Sequence, residues 1–162
     1  MSTRSIPFFP YTVFFLYIEP ISALAGAYFA ALKPQNYLDD LILSDGSIVK
    51  PTTPVVTTQM NMVLLQLANL YLLFALNEHL VLSSTTSIKT WKRMLFCLLV
   101  ADCGHLLSMA PLGMDVFWKV WEWNALVWGS VGFVYLGASM RISFLCGLGL
   151  SSPDVSATNK NK

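Results

Sequence analysis

The chain has 162 residues, room for one domain, of which 55% are hydrophobic and only 12% charged, about half the charged share usual in a soluble domain. A water-soluble core of this size would still need a polar coat, whereas here the apolar residues come in long blocks divided by short polar ones, which points to lipid as the main solvent. Ten Lys and Arg against nine Asp and Glu leave a formal charge of +1, so no basic surface exists for nucleic acid and that partner class is excluded.

The first apolar block runs from Pro10 to Leu32, interrupted by Glu19-Pro20. A secretory signal is the competing reading of this block, since Arg4, an apolar stretch and the small residues Ala23 to Ala27 imitate one and its removal would leave three helices. Glu19 and Pro20 within the stretch, and apolar residues continuing to Leu32, favour a membrane span. Lys33 to Thr57 then carries turn chemistry: Asp39, Asp40, Asp45-Gly46, Pro51 and Pro54. The second block runs from Thr58 to Leu82, the third from Met94 to Pro111 and the fourth from Trp123 to Leu145. Each is long enough as a helix, at 1.5 Å per residue, to cover most or all of a hydrocarbon core of roughly 30 Å, and none alternates as a strand would. The predicted fold is therefore all-α, a polytopic four-helix membrane bundle over residues 1–150, followed by a small, polar tail, 151–162, expected to be disordered.

Four spans put both termini and the segment Ser83 to Arg93 on one side. Arg4, Lys89, Lys92, Arg93, Arg141, Lys160 and Lys162 fall there, against Lys33, Lys50 and Lys119 opposite, so the positive-inside rule predicts cytoplasmic termini. Trp91, Trp118, Trp121 and Trp123 flank the spans as aromatic belts do. A multi-pass chain without other targeting signals is expected in the endoplasmic reticulum membrane.

Cys97, Cys103 and Cys146 all sit in apolar blocks without metal-ligand spacing and read as small buried hydrophobes; neither a disulfide framework, a metal site nor a cofactor is expected. Ser22, Gly26 and Ala30, with Ala23, Ala27 and Ala31, recur four apart on the first span, as Ala125 and Gly129 do on the fourth, and predict close helix contacts.

Polar residues within the spans are the candidate site. On the second, Gln59, Gln66 and Asn77 lie within about 20° of one another and Asn69 about 60° further round. They serve either as interhelical hydrogen bonds or as the lining of a ligand cavity, with Gln66 and Asn69 as substrate-binding candidates. Glu19, Asp102 and His105 carry more information, because an unpaired charge in hydrocarbon persists only when paired, neutralised or used. Glu19 and Asp102 lie at matching depth from the cytoplasmic ends of their spans. Asp102 and His105, three apart, can meet: as a self-neutralising pair, or as acid and base of a proton-transfer site. Pro20 kinks the first span beside Glu19, leaving either a ligand site or a satisfied kink. Glu78 and His79 near the cytoplasmic end read as contacts with headgroups or with Lys89, and Arg141 as an anchor snorkelling to that interface. On the fourth span Asn124, Trp128, Tyr135 and Ser139 recur at helical spacing. Trp128 and Tyr135 are either packing or ring faces that would stabilise a cation.

The runs FLYIEPISALAGAYFA (15–30), QLANLYLLFALNE (66–78), ADCGHLLS (101–108) and WNALVWGSVGFVYLGASMR (123–141) resemble a family of small fungal four-span membrane proteins known only as a domain of unknown function. The resemblance implies a fungal origin and this topology, supplies no catalytic residues, and suggests a lipophilic substrate because some such relatives occur among secondary-metabolite genes. In size and span count the chain is also similar to the sterol isomerase, emopamil-binding and sigma-2 receptor superfamily, an analogy of architecture without matching motifs.

The expected function is then a cofactor-free isomerase or cyclase acting on a terpenoid, polyketide or sterol-like substrate from the bilayer. Glu19 or Asp102 would give a proton, His105 would accept one, and Trp128 and Tyr135 would face the cation. The alternative is a noncatalytic lipid-binding or scaffold protein in which the same groups only hold helices together. A transporter would need oligomerisation, and the oligomeric state stays open.

Overall fold

A computed structural model describes residues 9–41 and 55–150. The described residues are helical and irregular with no strand, and four helices are long and apolar enough to cross a membrane. They are α1 (Phe9–Leu32), α3 (Thr58–Ser83), α4 (Ile88–Leu112) and α5 (Ala125–Leu145), with a short α2 (Pro34–Asp40) between the first two. The protein is an all-α four-helix membrane protein, as its hydropathy predicts. The tail 151–162 and most of the loop after α2 lie outside the described residues.

Local chemistry sets the helix ends. The segment expected as turn after Leu32 contains α2 because Pro34 is pre-set for a first helical turn, while it bars Lys33 from helical geometry (φ −134°, ψ 51°) and so separates α1 from α2. Thr57 caps α3, its Oγ1 accepting from the Met60 N–H at 3.2 Å. Ser87 caps α4 in the same way, which starts that helix six residues before Met94 and takes in Lys89, Lys92 and Arg93. Asn124 caps α5: its Oδ1 accepts from the Val127 N–H at 2.9 Å and its Nδ2 donates to the Asp40 carbonyl at 2.6 Å. That capping role, rather than membership of an aromatic face, is where the structure places it.

α1 packs on α3 and α4 on α5. The small-residue face of α1 makes the first contact, with Gly26 under the Tyr71 ring and Ala30 buried against Leu64 and Ala68. The corresponding pair on α5 does not behave this way: Ala125 and Gly129 are exposed, and a side chain added at Gly129 would meet nothing within 4 Å. At the end holding the N-terminus of α1, Tyr11, Phe14, Phe15, Leu82, Trp91, Leu95 and Phe144 form one core. Trp91 belongs to it, 1% exposed, instead of to an interfacial belt; its indole N–H donates to the Thr85 carbonyl. The three cysteines, expected to be buried, all face outward.

Two wide turns interrupt the spans, Phe14–Ile18 in α1 and Trp128–Gly132 in α5, both of π geometry. The first precedes Pro20, whose ring nitrogen cannot donate to the Leu16 carbonyl four residues back. His79 from α3 donates to that carbonyl instead, its Nδ1 lying 2.7 Å away. The second π turn has the same device: His105 Nε2 donates to the Ser130 carbonyl at 2.9 Å. A carbonyl only accepts, so each of these ring nitrogens carries its proton. Both histidines of the chain thus serve backbone carbonyls of neighbouring spans.

Candidate functional site

Each span contributes one ionisable side chain to a single buried cluster. Arg141 of α5 is completely enclosed. Its Nη1 donates to Asp102 Oδ2 on α4 at 2.6 Å, and its Nη2 to Glu19 Oε1 on α1 at 2.6 Å and, more loosely, to Glu78 Oε1 on α3 at 3.4 Å. The guanidinium also lies 5.7 Å from the Phe15 ring centroid and 5.8 Å from that of Phe74. The two readings that placed Arg141 and Glu78 at the headgroups are therefore corrected. Both are fully buried and pair with each other across the bundle.

Gly137, one turn before Arg141, makes the close approach possible. A Cβ there would stand 2.9 Å from both Arg141 Nη1 and Glu19 Oε1, closer than real Cβ contacts come, so any larger residue would have to displace the ends of this ion pair.

Charge does not balance in this layer. Three carboxyls face one guanidinium, and Glu19 Oε2, Glu78 Oε2 and Arg141 Nε have no hydrogen-bond partner among the described residues. Glu19 Oε1 and Glu78 Oε1 converge on the same Arg141 Nη2, so two carboxyls crowd one donor of a single guanidinium.

Of the residues singled out from sequence, Glu19 and Asp102 come together, joined through Arg141 in one layer as their matched depths require. His105 does not join them, being held by the Ser130 carbonyl. Gln66 and Asn69 face outward on α3, away from the carboxyls. Trp128 is half exposed at the opposite end of α5, edge-on to Trp123 at 5.0 Å, and the Tyr135 hydroxyl donates to the Phe117 carbonyl at 3.3 Å. Between Trp128, Gly129, Gly132, Phe133 and Leu136 runs an open apolar groove of about 360 Å³. Its lower wall, Phe133, stacks on Phe14 one turn above Gly137. In the other half of the bundle the Tyr37 hydroxyl on α2 meets that of Tyr71 at 3.2 Å, and burial pushes the Tyr37 hydroxyl up from its ordinary pKa.

Sequence reasoning missed Arg141 and Glu78 as members of the cluster. The available signal was the glycine four residues before the arginine, on the same helix face. No curated protein and no solved structure matches the chain. A family model matches residues 3–151, and the chain belongs to that family, described as domain of unknown function DUF7704.

Proposed function

We propose that the protein is a membrane-embedded acid–base protein handling a lipophilic small molecule, an isomerase or cyclase for a terpenoid, polyketide or sterol-like substrate. The observation that carries this reading is the surplus of carboxyls over cations in the buried layer: three against one. Asp102 and one glutamate suffice to hold Arg141, and the remaining carboxyl is a proton donor in a medium without water. Such a proton added to an alkene or epoxide gives a cation, and return of a different proton to the same carboxylate completes an isomerisation with no net oxidation. The groove along α5 is open to the bilayer, is lined by an aromatic ring at Trp128, and ends one turn from Gly137, which touches the cluster. That is the approach a lipophilic molecule would take.

A second reading has its own support. Arg141 is bound to one carboxyl from each of the other three spans, which is what a charge clamp in a noncatalytic membrane scaffold requires. One experiment separates the two. Cells making the native chain are compared with cells making Glu19→Gln and Glu78→Gln together, by profiling lipophilic extracts, alongside infrared spectra of the purified proteins. The acid–base reading expects a protonated-carboxyl band that disappears in the double variant, together with loss of a product. A variant that folds and leaves the extract unchanged would sink the enzyme and leave the clamp.

A further inference from the structure

The outward face of α3 is not built for lipid. Gln59, Met62, Gln66, Asn69, Leu73, Leu76, Leu80 and Ser83 follow one another at alternating steps of three and four, an a/d heptad sustained over the whole helix, and every one of them is exposed. The residues by which α3 joins its own bundle, Leu64, Ala68, Ala75 and Leu82, lie on the opposite side, about 160–200° from Gln66 at 100° per residue. The seam is therefore separate from the packing that forms the bundle. α3 is also the least covered of the spans, with 17% of its most apolar window buried against 22–33% for the others.

Two of the seam residues carry amides near mid-membrane. Gln66 and Asn69 stand within about 7 Å of the middle of α3 at 1.5 Å per residue. Neither side-chain amide hydrogen-bonds to a described residue. Acyl chains offer an amide nothing, and a buried amide without partners is costly.

We propose that α3 is the interface of a homodimer, in which a second copy of this chain lays the same heptad seam against the first. Two copies inserted with the same topology are related by a two-fold axis along the membrane normal, so their α3 helices run parallel and in register. Each amide then meets its own counterpart at its own depth. An amide is both donor and acceptor, which makes Gln66 and Asn69 self-complementary across that axis. A 3.5-residue period gives the left-handed crossing of knobs-into-holes packing, and polar residues at a and d positions fix register while Leu73, Leu76 and Leu80 supply contact area toward the other end. The seam has no charge, so no ionic partner is called for. This inference is independent of the chemistry proposed for the cluster, because no residue of the seam belongs to it.

The test uses the full chain with Cys97, Cys103 and Cys146 replaced by alanine, reconstituted into phosphatidylcholine vesicles at decreasing protein-to-lipid ratio. Leu73→Cys is placed on the seam and Val100→Cys on the exposed face of α4, and disulfide formation is driven with a copper oxidant. The expected result is a cross-linked dimer from Leu73→Cys that persists on dilution, and none above the collisional background from Val100→Cys. Adding Gln66→Leu with Asn69→Leu to the Leu73→Cys chain should shift the midpoint of the dilution curve by on the order of tenfold or more. Equal cross-linking at the two cysteine positions would overturn the proposal. So would a chain carrying Gln66→Leu and Asn69→Leu that dimerises as well as its parent while keeping native tryptophan fluorescence.

Discussion

Replacing Arg141 by methionine tests whether the four spans depend on one cation. The substitution keeps an apolar stem as far as the position of Nε and removes the guanidinium, whose Cζ faces the Phe15 and Phe74 rings. What is lost is the positive charge and three hydrogen bonds, to Asp102, Glu19 and Glu78. Breaking a buried ion pair by removing one partner costs about 3–5 kcal/mol, because the other partner stays desolvated and unpaired. Here three partners are left, and protonation relieves them only in part, so the upper end of that range is expected. The same layer made wholly neutral, with Glu19→Gln, Glu78→Gln, Asp102→Asn and Arg141→Met together, should recover most of the loss, since buried ion pairs exchanged for uncharged groups of similar volume are often neutral in stability. Arg141→Lys should fall between the two: one ammonium replaces the fork that reaches Asp102 from one nitrogen and Glu19 from another. Equilibrium unfolding in mixed micelles, followed by tryptophan fluorescence, measures all three. A cost below about 1 kcal/mol for Arg141→Met, the range of exposed surface pairs, would refute the account of the cluster as a clamp.

Two further outcomes follow from the same geometry. His79→Leu removes the side-chain donor that serves the Leu16 carbonyl among the described residues and should cost about 1–3 kcal/mol, whereas in a Pro20→Ala background the restored backbone N–H can serve that carbonyl, so the cost of His79→Leu should shrink by about 1 kcal/mol in a double-mutant cycle. Additive losses from the two substitutions would refute the link between the proline and the histidine. Gly137→Ala forces a Cβ to 2.9 Å from Arg141 and Glu19 and should destabilise by about 1–3 kcal/mol, while Gly104→Ala, with nothing within 4 Å, should be neutral or slightly favourable in the same assay.

Span number and class were legible from sequence because membrane helices are written in block hydropathy, a signal that survives without any knowledge of partners. The close contact of α1 was legible for a similar reason: Gly26 and Ala30 announce the approach of a backbone, and Tyr71, Leu64 and Ala68 are found there. The direction in which each face points was much harder. In water an apolar face looks inward and a polar one outward, but in lipid both sides of a helix are apolar and the rule loses its force. Hence Ala125 and Gly129 repeat the spacing of a contact and are exposed, and Cys97, Cys103 and Cys146 look like core residues and face outward. The amide pattern on α3 could be read as a stripe, but only the structure shows that the stripe lies opposite the bundle's own packing.

The pairing of Asp102 shows a second limit. Spacing along one helix nominates His105, three residues on, yet the partner that wins is Arg141, 39 residues away. Local spacing can only rank neighbours on the same helix, whereas the energy of a buried charge is decided by whichever opposite charge the bundle brings within about 3 Å. Arg141 itself was misread through its nearness to the end of α5. Position near an interface permits snorkelling, but a helical side chain leaves its Cα pointing toward the helix N-terminus. For Arg141, at the C-terminal end of its span, that direction is back into the membrane, over the residue four before it. That residue is Gly137, the one position in the turn below with no side chain to block the stem. At the beginning of α4, Lys92 has the opposite geometry: its Cβ leans toward the near interface, and its ammonium caps the Leu145 carbonyl at 3.3 Å. The sense in which a helix crosses the membrane therefore separates these two basic residues, one entering the core and one staying at its edge, where charge and depth alone do not.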